Sequence, residues 1–235
     1  MDELPAVACS LLGVLVGKAR PFGREGQQSG IDKAPCSTRV YVNTSGLSGD
    51  EQGDRRHHGG VEKAIHHYAF EHYAAWKKGL PQSRQHFDRP GTFGENFSTV
   101  GMTEASVCIG DVYLVGSALL EVSQARQPCW KLNVRTGVPG MAARVQETGR
   151  TGWYYRVLRT GWVQCGDTLS LLNRPNPDWP LRKLLHCLYV DRLNRAALSE
   201  IVALTTLAPS WRRLAQARLE HNVVEDWSQR LSSPR

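Results

Sequence analysis

The chain has 235 residues, 41% hydrophobic with seven Trp, seven Tyr and five Phe, which excludes a disordered protein and allows one sizeable domain with a small appendix. The net charge of +7 is spread along the chain rather than gathered into a basic arm, so it suits an anionic small ligand as well as nucleic acid. Six cysteines (9, 36, 108, 129, 165 and 187) lack CxxC spacing, and the apolar run Leu11 to Val16 is too short for a signal peptide or a span; the expectation is a soluble cytoplasmic protein with reduced thiols and no membrane partner.

The first third reads as short strands. Leu11 to Lys18 is a compact apolar run, and Thr38 to Asn43 alternates β-branched and aromatic residues before a Thr44-Ser45-Gly46 turn. From Glu62 to Lys78 the apolar residues Ala64, Ile65, Tyr68, Ala69, Ala75 and Trp76 recur at helical spacing, ahead of a Gly79-Leu80-Pro81 stop, which predicts a helix. The preceding His57-His58-Gly59-Gly60 turn would then present backbone N–H groups at a helix N-terminus, suited to an anion. Within that helix His67 and Glu71 would lie one turn apart. A Zn²⁺ site there needs a third ligand, and the spacing is not His-Glu-x-x-His, so a solvated or hydrogen-bonded histidine face is the better reading of His66, His67, Glu71 and His72.

Strand patterns return at Ser106 to Ile109, Val112 to Val115, Ala118 to Ser123 and Gly152 to Leu158, with a short helix between Pro139 and Thr148. Gly110-Asp111 and Gly166-Asp167 are matching turns, each before an apolar strand, and together they suggest a closed or nearly closed barrel. The pattern breaks at 173–177, which sets a boundary near residue 175: a β-barrel domain over 1–175 and a helical extension over 176–235. The extension reads as three helices, Leu181 to Leu193, Ala196 to Leu204, and Trp211 to Val224 with Ser210 as N-cap. Sixty residues make little core alone, so they should dock on the barrel or a partner. Arg192, Arg195, Arg212, Arg213 and Arg218 raise a DNA-reading helix-turn-helix as the lesser alternative to solvated helix faces.

The most chemical stretch is Arg126-Gln127-Pro128-Cys129-Trp130-Lys131, with a thiol between a guanidinium and an ammonium on a proline-stiffened loop. Neighbouring cations favour the thiolate, the form that attacks electrophiles and binds soft metals. A small buried apolar cysteine is the competing reading. Gly94-Glu95-Asn96 is a further donor-rich loop.

Asp54-x-x-x-His58-Gly59-Gly60-x-x-Lys63-Ala64, His67-Tyr68-x-x-Glu71-His72-Tyr73-x-x-Trp76, Phe93-Gly94-Glu95-Asn96-Phe97, Ile109-Gly110-Asp111-Val112, the Cys129 stretch and Thr148-Gly149-Arg150-Thr151-Gly152-Trp153-Tyr154-Tyr155-Arg156-Val157 occur in that order. Across nearly the whole chain they resemble MOSC-domain proteins of the YiiM, hydroxylaminopurine-resistance type. The resemblance implies a mainly β fold with helices, a MOSC-type β-barrel followed by a small three-helix domain, that binds the molybdenum cofactor. Cys129 matches the cysteine that ligates the metal and is both the metal ligand and the catalytic candidate. Lys33, Arg126 and Arg156 become candidates for the pterin or its phosphate, His58, Gly59 and Gly60 for an anion-binding turn, and Asn96 for a bond to the cofactor or for positioning its neighbours. The implied reaction removes oxygen from N-hydroxylated bases or related N-hydroxy compounds, with electrons from a separate reductase, since the chain has no Gly-x-Gly-x-x-Gly stretch or cysteine cluster of its own. A homodimer is compatible with this reading. The same fold ends molybdenum-cofactor sulfurases and is associated with pyridoxal phosphate, so a persulfide-carrying Cys129 is the alternative; a nucleic-acid-binding module is a lesser one.

Overall fold

A computed structural model describes residues 8–53 and 59–232. Fourteen strands are found among them: β1 (Ala8–Ser10), β2 (Gly13–Val16), β3 (Arg20–Phe22), β4 (Arg24–Ser29), β5 (Ala34–Pro35), β6 (Val40–Asn43), β7 (Gly46–Leu47), β8 (Ile65–Ala69), β9 (Phe97–Thr99), β10 (Val112–Val115), β11 (Ala118–Ala125), β12 (Trp153–Arg159), β13 (Gly161–Val163) and β14 (Thr168–Asn173). Nine form one sheet in the order β1-β14-β10-β11-β12-β8-β9-β2-β5, and β13-β6-β7 and β3-β4 form two smaller sheets. Only β8 and β9 run parallel in the large sheet. The expected barrel does not close among the described residues, because β1 and β5 remain edges of an open, mixed sheet.

The two glycine–aspartate echoes fold alike. Gly110 and Gly166 take positive φ of 82° and 89°, a conformation glycine adopts without steric cost. In each, the aspartate closes the turn from its side chain: Asp111 Oδ2 accepts from Cys108 N at 2.9 Å, and Asp167 Oδ2 accepts from Gln164 N at 2.9 Å. The segment Ser106 to Ile109 is not a strand. It is a turn whose one ladder contact is an isolated bridge from Cys108 to Pro180.

The expected helix from Glu62 to Lys78 is divided. Val61–Lys63 makes a single 3₁₀ turn, Ile65–Ala69 is β8, and the helix α1 begins only at Glu71 and ends at Gly79. Tertiary pairing overrides the helical spacing here: β8 is hydrogen-bonded between β12 and β9, and all five of its residues are buried. Helical period and a doubly buried strand look alike over five residues. His67 and Glu71 are therefore on different elements, and the anion-binding α-helix N-terminus after Gly60 is absent. Gly60, with φ 96°, only opens the 3₁₀ turn.

After Cys129 come α2 (Lys131–Thr136), which no sequence pattern announced, and α3 (Met141–Thr148). The extension holds α4 (Leu181–Tyr189), α5 (Arg195–Ala203), α6 (Pro209–His221) and α7 (Ser228–Leu231). Ser210 is not the N-cap of α6. Ala208 occupies that position and Pro209 begins the helix, where a missing N–H costs nothing. Leu181, Leu184, Leu188, Leu198, Ile201 and Trp211 share one core with Ile109, Leu120 and Val122 of the sheet side. Each such side chain contributes roughly 1.5–3 kcal/mol on burial. The backbone stitches the join: Leu181 N donates to Val107 O at 2.8 Å and Ala208 N to Ser123 O at 2.8 Å. Arg218, one of the arginines behind the DNA-binding alternative, is 1% exposed and is bound to Leu188 O and Glu225, so it cannot reach a phosphate. No described helix is long and apolar enough to cross a membrane.

Candidate functional site

Cys129 lies on the loop between β11 and α2, 7% exposed, and faces a cavity of about 70 Å³. The cavity is lined from the sheet by His66 of β8, Tyr154 of β12 and Arg126 just past β11; Asn96 lies before β9 and Lys131 begins α2. Two loops, running through Ser29 to Lys33 and Asp50 to Gly53, complete the wall. These loops touch backbone to backbone. A Cβ on Gly30 would lie 1.9 Å from Glu51 O, and one on Gly53 would lie 2.3 Å from Gln28 O, so only glycine permits the approach.

The expected residues divide into those the cavity gathers and those it does not. Cys129, Arg126, Lys33 and Asn96 all line it. Gly59 and Gly60 do not, and His58 lies outside the described residues. Arg156 is also elsewhere. Its guanidinium bridges Glu62 and Glu121, with Nε 3.0 Å from Glu62 Oε2 and Nη1 2.5 Å from Glu121 Oε2. Arg156 follows Tyr154 by two residues, yet the register of β12 against β11 sets it opposite Glu121, where it is held by carboxylates.

Asn96 is fully engaged with the protein. Its Oδ1 accepts from His66 N at 3.0 Å, and its Nδ2 donates to Leu15 O at 3.1 Å and to Asp50 Oδ2 at 2.9 Å. It is therefore built to position β8, β2 and Asp50. The loop before it is fixed by buried Glu95, which accepts from Gly91 N at 2.8 Å, from Phe93 N at 3.1 Å and from the Tyr73 hydroxyl. Lys33 pairs with Asp50, and burial holds its ammonium below the ordinary lysine range although Asp50 pulls the other way. Gly17 N adds a 2.8 Å donor to the same Asp50 oxygen.

Other wall residues were not named as site residues from the sequence. Lys131, 5% exposed, donates to Gln28 O at 2.9 Å; Lys63, His66, Asp50 and Tyr154 join from distant segments. Lys63, Lys131 and Tyr154 stand within the family motifs, and Lys131 was already the ammonium flanking Cys129. Burial, and then the Arg126 charge, push the His66 imidazole well below its usual range, so it is neutral at pH 7. Burial raises the Tyr154 phenol, with Arg126 opposing, so it stays a hydrogen-bond donor. Two buried nitrogens of the wall residues, Arg126 Nη1 and His66 Nε2, have no protein partner. A buried polar atom without a partner is costly, and Arg126 Nη1, the donor of the two, belongs to a residue of the cavity wall.

His67 is not part of this wall. It is buried, stacked on Trp153 at 4.3 Å, and hydrogen-bonded to Tyr155 Oη and Thr99 Oγ1. His72 pairs with Glu104 at 2.7 Å. Among the described residues no group of three or more His, Cys, Asp or Glu is placed to hold a metal ion. A metal at Cys129 would need its other ligands from elsewhere.

A mixed sheet presenting one thiol in a cation-lined cavity, with docked helices behind it, is the arrangement of a MOSC-domain protein with a helical extension. The MOSC domain family matches residues 54–170, and the YiiM-like, 3-alpha helix domain matches residues 179–222. Protein YiiM of Escherichia coli (strain K12) is 35% identical over 218 residues, covering 93% of this chain and 96% of that protein. The crystal structure of YiiM from Escherichia coli superimposes with a TM-score of 0.82 at 30% identity, over 97% of this chain and all of that one (100%). A protein named Reductase from Gibberella moniliformis (strain M3125 / FGSC 7600) is 39% identical over 199 residues, 84% of this chain but 35% of its own length. The chain belongs to the YiiM family of MOSC-domain proteins.

Proposed function

We propose that the protein is a molybdenum-cofactor-dependent reductase that removes oxygen from N-hydroxylated bases or related N-hydroxy compounds, with the Cys129 thiolate as the protein ligand to the metal. The observation that carries this reading is the pairing, in the wall of one cavity, of the Cys129 thiol with Arg126, whose buried Nη1 lacks a protein partner. The residues fit the group. A thiolate suits a metal already held by sulfur, and the partnerless Arg126 donor suits a polar, anionic pterin. The cavity alone is too small for a whole pterin, but Lys33 also borders a groove of about 530 Å³ whose wall includes Lys18, Arg20, Arg89 and Arg135. That groove suits a phosphate tail. The family relationship and the Reductase relative support the redox assignment.

When bound, the cofactor would supply oxygen-atom acceptance coupled to the donation of two electrons, a chemistry no side chain provides. The chain's own residues would hold and orient it. Cys129 would fix the metal, Arg126 and Lys131 would offset negative charge beside it, and neutral His66 would offer one nitrogen as donor or acceptor. Tyr154, kept protonated by burial, would donate a hydrogen bond from the sheet wall. The net reaction converts N–OH to N–H and water with two electrons and two protons; the electrons would come from a separate reductase.

The test is to load purified protein with molybdenum cofactor and assay it with a chemical reductant on an N-hydroxylated purine, wild type beside Cys129→Ser. One molybdenum per chain and turnover in the wild type, both lost in the variant, are expected. Equal activity in the two overturns the role of Cys129, and a metal-free protein carrying labile sulfur would point to persulfide transfer instead.

A further inference from the structure

The residues on either side of Cys129 are both held by residue 230, at the far end of the chain. Arg230 Nη1 donates to Pro128 O at 2.5 Å, and Trp130 N donates to Arg230 O at 2.8 Å. The same guanidinium reaches α3, where Nη2 donates to Gln146 Oε1 at 2.7 Å. One residue on, Leu231 O accepts from Asn133 Nδ2 at 3.0 Å, and Asn133 Oδ1 in turn accepts from Ala142 N at 2.8 Å. The Cys129 loop, α2, α3 and α7 are thus joined through side chains.

The strap that delivers Arg230 is itself anchored. Buried Arg218 of α6 forks onto Glu225, with Nε to Oε2 at 3.0 Å and Nη2 to Oε1 at 2.8 Å. Trp227 donates to Glu225 Oε1 at 2.7 Å and packs edge-on against Tyr189 of α4, ring centroids 5.4 Å apart. Asp226 Oδ1 then accepts from Ser228 N at 2.8 Å and starts α7. None of these residues touches the cavity. Their joint product is the geometry of a loop that presents Arg126 and Cys129 to the cavity.

We infer that Arg230 is a positioning residue for Cys129, and that the C-terminal helices serve the site as a brace by carrying Arg230 to the thiol's loop. The inference rests on Cys129 being the working thiol of the site, and holds whichever metal or sulfur chemistry that thiol performs. A guanidinium with two acceptors in fixed directions holds a loop better than a lysine, whose ammonium is a flexible point charge. Losing it should let the loop open locally while the shared core stays folded.

The test is the alkylation rate of each cysteine by iodoacetamide in the metal-free full-length protein, read peptide by peptide, for wild type, Arg230→Ala, Arg230→Lys and Gln146→Leu. Exposed Cys165 and buried Cys187 are internal controls. We expect Cys129 to react about tenfold faster in Arg230→Ala, the size of effect expected from one or two lost charge-assisted hydrogen bonds on a local opening. Arg230→Lys should restore part of the protection, and Gln146→Leu, which leaves Arg230 in place, should give a smaller rise. Wild-type rates at Cys129 in both Arg230→Ala and Gln146→Leu overturn the inference. So does a rise shared by Cys187, which means general loosening, and if Arg230→Ala does not fold, Gln146→Leu decides alone by the same criterion. Because no metal is present, the outcome is separate from the fate of the molybdenum reading.

Discussion

The Lys33 ammonium is paired with the Asp50 carboxylate at the cavity wall, their side chains 6% and 2% exposed. A lysine chosen from sequence as an anion binder is thus already half neutralised by the protein, and Asp50 holds Asn96 as well. Removing one partner of a buried pair leaves an uncompensated charge, typically worth about 3–5 kcal/mol. Asp50→Asn should lower stability by about that amount in urea unfolding, and Lys33→Met added to it should recover most of the loss. A double variant no better than the single would show that the pair is not the source.

Acid should unfold the protein through its buried histidines. Burial depresses His67 to about 3, against an ordinary value of 6.5. Between those values the unfolded chain binds a proton that the folded chain refuses. The stabilisation from neutral His67 is therefore complete above about pH 6.5 and is lost as pH falls toward 3, at up to about 1.4 kcal/mol per pH unit. His67→Gln should be less stable than wild type at pH 7 and should close the gap by pH 4.5 in urea titrations at both values. A gap of constant size would overturn the assignment.

Arg156 and Arg126 should separate stability from ligand binding. Arg156 is held by two carboxylates outside the cavity, whereas Arg126 presents a partnerless nitrogen beside it. Arg156→Leu should cost about 1–3 kcal/mol of stability and leave molybdenum per chain unchanged after loading. Arg126→Leu should reduce cofactor affinity about tenfold or more, the weight of one charge-assisted hydrogen bond, with the fold kept. Elemental analysis after dialysis at graded cofactor concentrations reads both.

The strands at 112–115, 118–125 and 153–159 were legible because turn glycines and alternating apolar residues mark them directly. The division of the Glu62 to Lys78 segment was not, because β8 is buried on both faces and its short apolar run carries no period that separates it from a helix. The thiol, Arg126, Lys33 and Asn96 could be picked out by residue type and motif. Asp50 was not, and His66 and Tyr154 were seen only in a histidine cluster and a family motif: β8–β12 pairing and the Asn96 bond to Asp50 bring the three to one cavity, and no local pattern states that. Arg156 shows the reverse error, a suitable residue in a suitable motif whose register against Glu121 points its charge to another use.

The bond from Ala208 N to Ser123 O, and the single core running from Ile109 and Val122 into Leu184 and Ile201, bear on how the protein can be cut. A fragment ending near residue 175 would keep every cavity-wall residue yet turn the greasy back of β11 outward, and would lose the grip on the thiol's loop. Such a fragment should behave as a sticky remnant and not as a minimal enzyme. Swapping the helices for those of a relative would have to carry over the complementary sheet face with them.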